Sequence, residues 1–211
     1  MIPAHHPSDL LLAEFASGAL DEASALVIAA HVAMCSQCRQ AVADFECIGG
    51  MLLDQVDDGA FDAKRRAQAL TAIPVDLPQQ PALPRDLAGA DGVEAMIDLY
   101  GRGPWRWIGP GVYRRGINLE DRGVRAFMLR GAAGTELPHH THSGTELTLI
   151  LKGEFSHELG RFQVGDLEEA DGGIAHAPRI GNEECICLVA MEGTIRLKGL
   201  LGRLIQPFVR L

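Results

Sequence analysis

Residues 134–153 read GTELPHHTHSGTELTLILKG, a run in which β-branched, apolar and polar residues alternate as they do in a strand. His140, His142 and Glu146 all sit at even positions of it. A strand repeats its side-chain direction every two residues, so without a bulge these three point to one face, the interior of a sheet that curls or closes. Imidazole and carboxylate converging on one point form the donor set of a metal site. His139 has the opposite parity and is expected to face away. A fourth ligand has to come from another strand, and His176 closes a second glycine-punctuated segment, GDLEEADGGIAH, at 165–176.

The spacing carries more than the residue types. Gly134, His140, His142, Glu146 and Gly153, followed by Gly165, Asp171, Gly173 and His176, resemble the two-part signature of the cupin family. The resemblance implies a jelly-roll barrel with His140, His142, Glu146 and His176 around a divalent metal: zinc first, with iron, manganese or nickel as alternatives. Asp171 stands where the family usually has proline, which is expected to loosen the turn before His176. Glu154, His157 and Glu158 follow the first motif and read as a solvated hairpin.

The chain has 211 residues, room for one large domain or two small ones. No stretch approaches the roughly 20 apolar residues of a membrane span, and MIPAHHPSDLL lacks the basic flank and apolar core of a signal peptide, so a cytoplasmic protein is expected. Five cysteines, an odd number without an export signal, point to reduced thiols. Cys47, Cys185 and Cys187 read as small apolar core residues. The net charge is −9, and residues 1–85 hold five Lys or Arg against eleven Asp or Glu. Direct nucleic-acid binding is disfavoured, since phosphate contacts need a basic face; an acidic N-terminal half suits a basic partner.

Ser8 is placed to cap a first helix, DLLLAEFASGAL, and Asp21 to open a second, DEASALVIAAHVAM. Ser36 can cap a third running through QCRQAVADFECIGGMLLDQV, with a bend at Gly49 and Gly50, and a fourth is expected from about Gly59 to Ile73. A proline-rich linker spans about 74–92. Beyond it, short alternating segments separated by glycine predict an antiparallel barrel. The expected fold is two domains: an all-α helical domain over 1–83 and an all-β barrel of jelly-roll (double-stranded β-helix) type over 84–211.

A second constellation lies where helices two and three meet. In HVAMCSQC, His31, Cys35 and Cys38 are spaced four and three apart, which brings them together across a helix junction. The start of helix three is also expected to lower a thiol pKa through its free N–H groups. Structural zinc takes four ligands, and the strong donors nearby are His5 and His6, between which the sequence does not choose.

An N-terminal His, then His-xxx-Cys-xx-Cys in an alanine-rich helical domain, a proline-rich linker and a cupin together resemble the ChrR type of zinc-binding anti-sigma factor, over nearly the whole chain to its end RLIQPFVRL. The resemblance implies zinc on His6, His31, Cys35 and Cys38 and the cupin metal on His140, His142, Glu146 and His176. It also implies a regulator and not an enzyme. The helical domain would sequester an extracytoplasmic-function type sigma factor, and the cupin would serve the response to singlet oxygen or peroxide. The alternatives are a cupin metalloenzyme, a dioxygenase or isomerase with an accessory zinc domain, and a plain docking module.

Overall fold

The computed structural model describes residues 3–56, 62–73, 89–120 and 123–198. Most of the expected linker, the boundary at 83/84 and the C-terminal RLIQPFVRL lie outside the described residues.

Helices α1 (Asp9–Ala16) and α2 (Glu22–Met34) start where the sequence places their caps: Ser8 Oγ accepts from the Leu11 N–H, and Asp21 Oδ1 from the Ser24 N–H. In α3 (Ser36–Leu53) the cap is Cys35 rather than Ser36, its Sγ accepting from the Cys38 N–H at 3.5 Å. The pair Gly49 and Gly50 lies within α3, which runs on to Leu53. Helix α4 (Ala63–Thr71) is shorter than expected. A fifth helix, α5 (Gly89–Tyr100), occupies the end of the expected linker and the residues after it. Val93, Met96 and Ile97 recur at helical spacing and are buried against α2, which is why this segment folds.

The rest is antiparallel strand. A six-stranded sheet has the order β1 (Arg106–Gly109), β2 (Val112–Gly116), β3 (Val124–Gly131), β10 (Cys185–Glu192), β5 (Glu146–Lys152), β8 (Leu167–Ala170). Two small sheets complete the barrel: β11 (Ile195–Leu197) with β4 (His140–His142), and β7 (Gly160–Gln163), β6 (Glu154–His157), β9 (Arg179–Ile180). The single strand expected over 134–153 is therefore two, β4 and β5, belonging to different sheets. At Gly144 between them an added Cβ would lie 2.9 Å from the Glu192 carbonyl oxygen.

Strand alternation divides the apolar residues between two cores. Phe127, Ile150, Val189 and Met191 point into the barrel and meet Phe155, Phe162 and Ile180 of the small sheet. Ala126, Met128, Leu147, Leu149, Leu188 and Ala190 point outward and are covered by Leu26, Val27, Ile28 and Ala30 of α2 with Val93, Met96 and Ile97 of α5. Helix α2 is apolar almost all round, the mark of a buried helix. The helical part and the barrel thus share one of the two cores.

Candidate metal centres

The helical centre is assembled from four places in the chain. The C-terminal turn of α2 brings His31, the junction brings Cys35, the first turn of α3 brings Cys38, and the segment before α1 brings His6. One ligand atom from each lies within 4.8 Å of all the others. His31 Nε2 is 3.2 Å from Cys38 Sγ; His6 Nδ1 is 3.5 Å from Cys35 Sγ and 3.3 Å from Cys38 Sγ. His5 turns away: its Nδ1 is 3.3 Å from Asp166 Oδ2 and its ring packs on Phe162.

Burial sets the electrostatics here. It lowers His31 to about 4, so the imidazole is neutral and offers a lone pair. It also pushes the Cys38 thiol up to about 12, with Cys35 adding to the effect. This is opposite to the lowering the sequence suggested for a thiol at the start of helix three: the N–H of Cys38 points to Cys35 Sγ, and burial and the second sulfur raise Cys38. Buried thiolates are stable only beside a cation, and a set of two sulfurs and two imidazoles fits Zn²⁺ in both charge and tetrahedral number.

The barrel centre draws on four strands. His140 and His176 exchange both backbone hydrogen bonds, 3.0 and 3.1 Å, which sets their rings side by side. Their Nε2 atoms are 3.0 Å apart, and His142 Nε2 is 3.1 Å from that of His176. Two of the three Nδ1 atoms have an acceptor on their far side. His140 donates to the Pro138 carbonyl at 2.7 Å and His176 to Glu168 Oε1 at 3.1 Å, while His142 lies 3.5 Å from Glu146 Oε2. These outer partners leave the Nε2 lone pairs turned toward one point, as metal-ligating imidazoles require. Burial lowers both His140 and His142 to about 4.

Glu146 stands outside the group of three imidazoles. It is buried, accepts from Thr148 Oγ1 at 3.1 Å and faces the Nδ1 side of His142. Burial, reinforced by Glu168, raises it to about 7. His139 is exposed. Asp171 does not loosen its turn: Oδ1 accepts from the Gly173 N–H at 2.8 Å and holds the turn without proline.

Two residues beyond the motif complete this centre. Burial works against the Glu168 carboxylate, yet contacts with His157 and His176 hold it at about 2. His157 Nε2 is 2.8 Å from Glu168 Oε1, and its side chain is fully enclosed. The solvated hairpin expected at Glu154, His157 and Glu158 is therefore corrected for His157, which alternation sends inward with Phe155 while Glu158 is exposed. Glu168 carried the same signal, lying one strand period from buried Ala170. Cys185 and Cys187 line the barrel with sulfurs 3.7 Å apart, whereas Cys47, expected in the core, is exposed on α3. The cavity bounded by Glu146, Thr148, Glu168, Cys185 and Cys187 holds about 50 Å³.

Comparison with known proteins bears on the whole chain. A family model described as the ChrR cupin-like domain matches residues 96–194, and a zinc-finger model matches residues 9–39. The chain is 35% identical over 212 residues to the anti-sigma-E factor ChrR of Cereibacter sphaeroides, covering 98% of each. It also resembles the crystal structure of Rhodobacter sphaeroides SigE in complex with the anti-sigma ChrR. That likeness has a TM-score of 0.71 at 32% identity and covers 89% of this chain and 98% of that one.

Proposed function

The chain belongs to the ChrR family of anti-sigma factors, and from that premise we propose that it sequesters a sigma factor of the extracytoplasmic-function type through its helical part and releases it under oxidant stress. The observation that carries the docking role is the end of α3. Ile48, Met51, Leu52, Leu53 and Val56 are each more than half exposed within nine consecutive positions, and Leu70 and Ile73 add to the apolar surface at α4. Scattered apolar side chains are ordinary on a surface; a contiguous group on one helix end marks a protein partner.

Zinc on His6, His31, Cys35 and Cys38 would supply a cross-link between the N-terminus and the α2–α3 junction. His6 anchors the N-terminal segment to α3, while His31 and Cys35 fix the angle at which α3 leaves α2 and so aim its apolar end. In the barrel, His140, His142 and His176 would hold a divalent metal, zinc first and iron, manganese or nickel as alternatives, with Glu146 beside them. Sensing of singlet oxygen or peroxide is assigned to this cluster. The kinship with an anti-sigma factor supports a regulator in place of an enzyme. No helix among the described residues is long and apolar enough to cross a membrane. The proposed compartment is the cytoplasm, where the partner would meet RNA polymerase.

The test is capture of the co-expressed sigma factor. Leu52→Asp with Leu53→Asp places two charges on the proposed contact without touching a ligand or the core. It should leave the zinc content and helical circular dichroism of the parent and weaken capture at least about 100-fold, as loss of central interface residues does. Capture at the parent level by this double variant would rule out the α3 end as the docking surface.

A further inference from the structure

The helical centre borders the barrel, and its neighbours on that side come from the turn between β7 and β8. His31 Nδ1 donates to the Gly165 carbonyl at 2.9 Å, which leaves Nε2 for the sulfur side. Asp166, the next residue, is buried. Its Oδ1 accepts from the N–H groups of Ala4 at 2.6 Å and His5 at 3.0 Å; its Oδ2 accepts from the Gln163 N–H at 2.8 Å. The Leu167 N–H donates to the His5 carbonyl at 3.2 Å. The backbone just before His6 is thereby pinned to the barrel. Gly165 permits the approach: its φ is +91°, and an added Cβ would lie 3.0 Å from Pro3 Cγ.

Two of the four ligands in the helical cluster are thus oriented by residues more than 120 positions away. We propose that the β7–β8 turn is the outer shell of the helical zinc site, Gly165 fixing the tautomer and ring of His31 and Asp166 placing His6, so that the barrel sets how tightly the helical part keeps its zinc. This rests on the zinc reading of His6, His31, Cys35 and Cys38 given above. Outer partners of metal ligands change affinity by about 10- to 100-fold when removed. The Gly165 carbonyl and the Asp166 carboxylate act through the ligands and need not touch the metal.

The experiment uses the full chain carrying His140→Ala and His142→Ala, so that released zinc comes from the helical site. Zinc transfer to excess pyridylazoresorcinol is timed by absorbance, and the cobalt-loaded form gives the thiolate-to-cobalt and d–d bands. Asp166→Ala should release zinc about tenfold faster or more and shift the cobalt bands. Asp166→Asn keeps the shape and one acceptor oxygen for Ala4 and His5, so its rate should fall between the two and its bands return toward the parent. A folded Asp166→Ala chain with the parent rate and spectrum would overturn the proposal. If that variant fails to fold, the parent rate and spectrum in Asp166→Asn overturn it, and faster release supports it. A parent background that retains no zinc after dialysis would instead sink the zinc reading, and this proposal with it.

Discussion

The helical centre and the barrel centre differ in what remains when the metal is taken away. In the helical centre the sulfurs and imidazoles have mainly each other, at 3.2–3.5 Å, and burial pushes Cys38 up and His31 down. Apart from α2, the elements around it are poor in core: α1 buries Leu12, α3 buries Cys38 and Val42, and α4 buries nothing. The barrel centre has hydrogen-bond partners outside the group of imidazoles, Glu168 on His176 and the Pro138 carbonyl on His140, and an apolar cluster of its own around it. A metal in the first would therefore be structural. A metal in the second could come, go or change coordination while the barrel stands, which is what the proposed sensing role requires.

The largest effect should follow loss of a helical sulfur. Cys38→Ser removes a ligand from a site that would contribute roughly 10 kcal/mol or more of folding free energy. We expect α1 and α3 to lose their helical circular dichroism and sigma capture to disappear. Fluorescence of Trp105, just before β1, and of Trp107, within it, should stay native. Loss of both signals together would mean that the barrel depends on this zinc as well, and the contrast between the centres would break.

A smaller effect separates the centres by pH. In the metal-stripped chain, His140 and His142 are held at about 4 against an ordinary 6.5, so between those values the unfolded state binds more protons than the folded one. Barrel stability should therefore fall as pH falls through that window. Glu146, raised from 4.5 to about 7, opposes this because the folded state keeps its proton. Two imidazoles against one carboxyl leave a net fall in stability toward low pH. The thermal midpoint followed by tryptophan fluorescence should drop accordingly; a midpoint independent of pH would show that these imidazoles are not buried in neutral form.

The smallest change concerns the outer carboxylate. Glu168→Gln keeps the shape but removes the charge facing His157 and His176. Metal affinity at the barrel centre should fall about 10- to 100-fold, read as the chelator concentration that halves its metal content. Zinc in the helical site and sigma capture should hold at parent levels. Loss of helical zinc in this variant would mean that the charge itself is felt across β8.

Much of this was legible because it is local. Helix caps at Ser8 and Asp21, the His31–Cys35–Cys38 spacing and the parity of His140 and His142 depend on neighbours within a turn or a strand period. Helix α5 was hidden by its position against a proline-rich stretch, although Val93, Met96, Ile97 and Tyr100 have helical spacing. His157 was lost among charged neighbours, where composition spoke louder than the alternation with Phe155. The separation of Glu146 from the three imidazoles depends on the break after β4. The Gly165 carbonyl on His31 joins residues 134 positions apart, and no periodicity reports such a contact.

The strand that carries both relations is β8 with its leading turn: Gly165 and Asp166 face the helical centre, and Glu168, three residues from Gly165, holds His176 of the barrel centre. On the proposed reading, rearrangement around His176 would reach a zinc in the helical site through this short stretch of backbone, and would favour the sigma-free state only insofar as the two states differ at these contacts. The most direct measurement is retention of the captured sigma factor during exposure to singlet oxygen or peroxide, compared between the parent and the His140→Ala, His142→Ala chain. The parent should release it, and the variant should capture it normally and keep it; release by the variant at the parent's rate would contradict the assignment of sensing to the barrel centre.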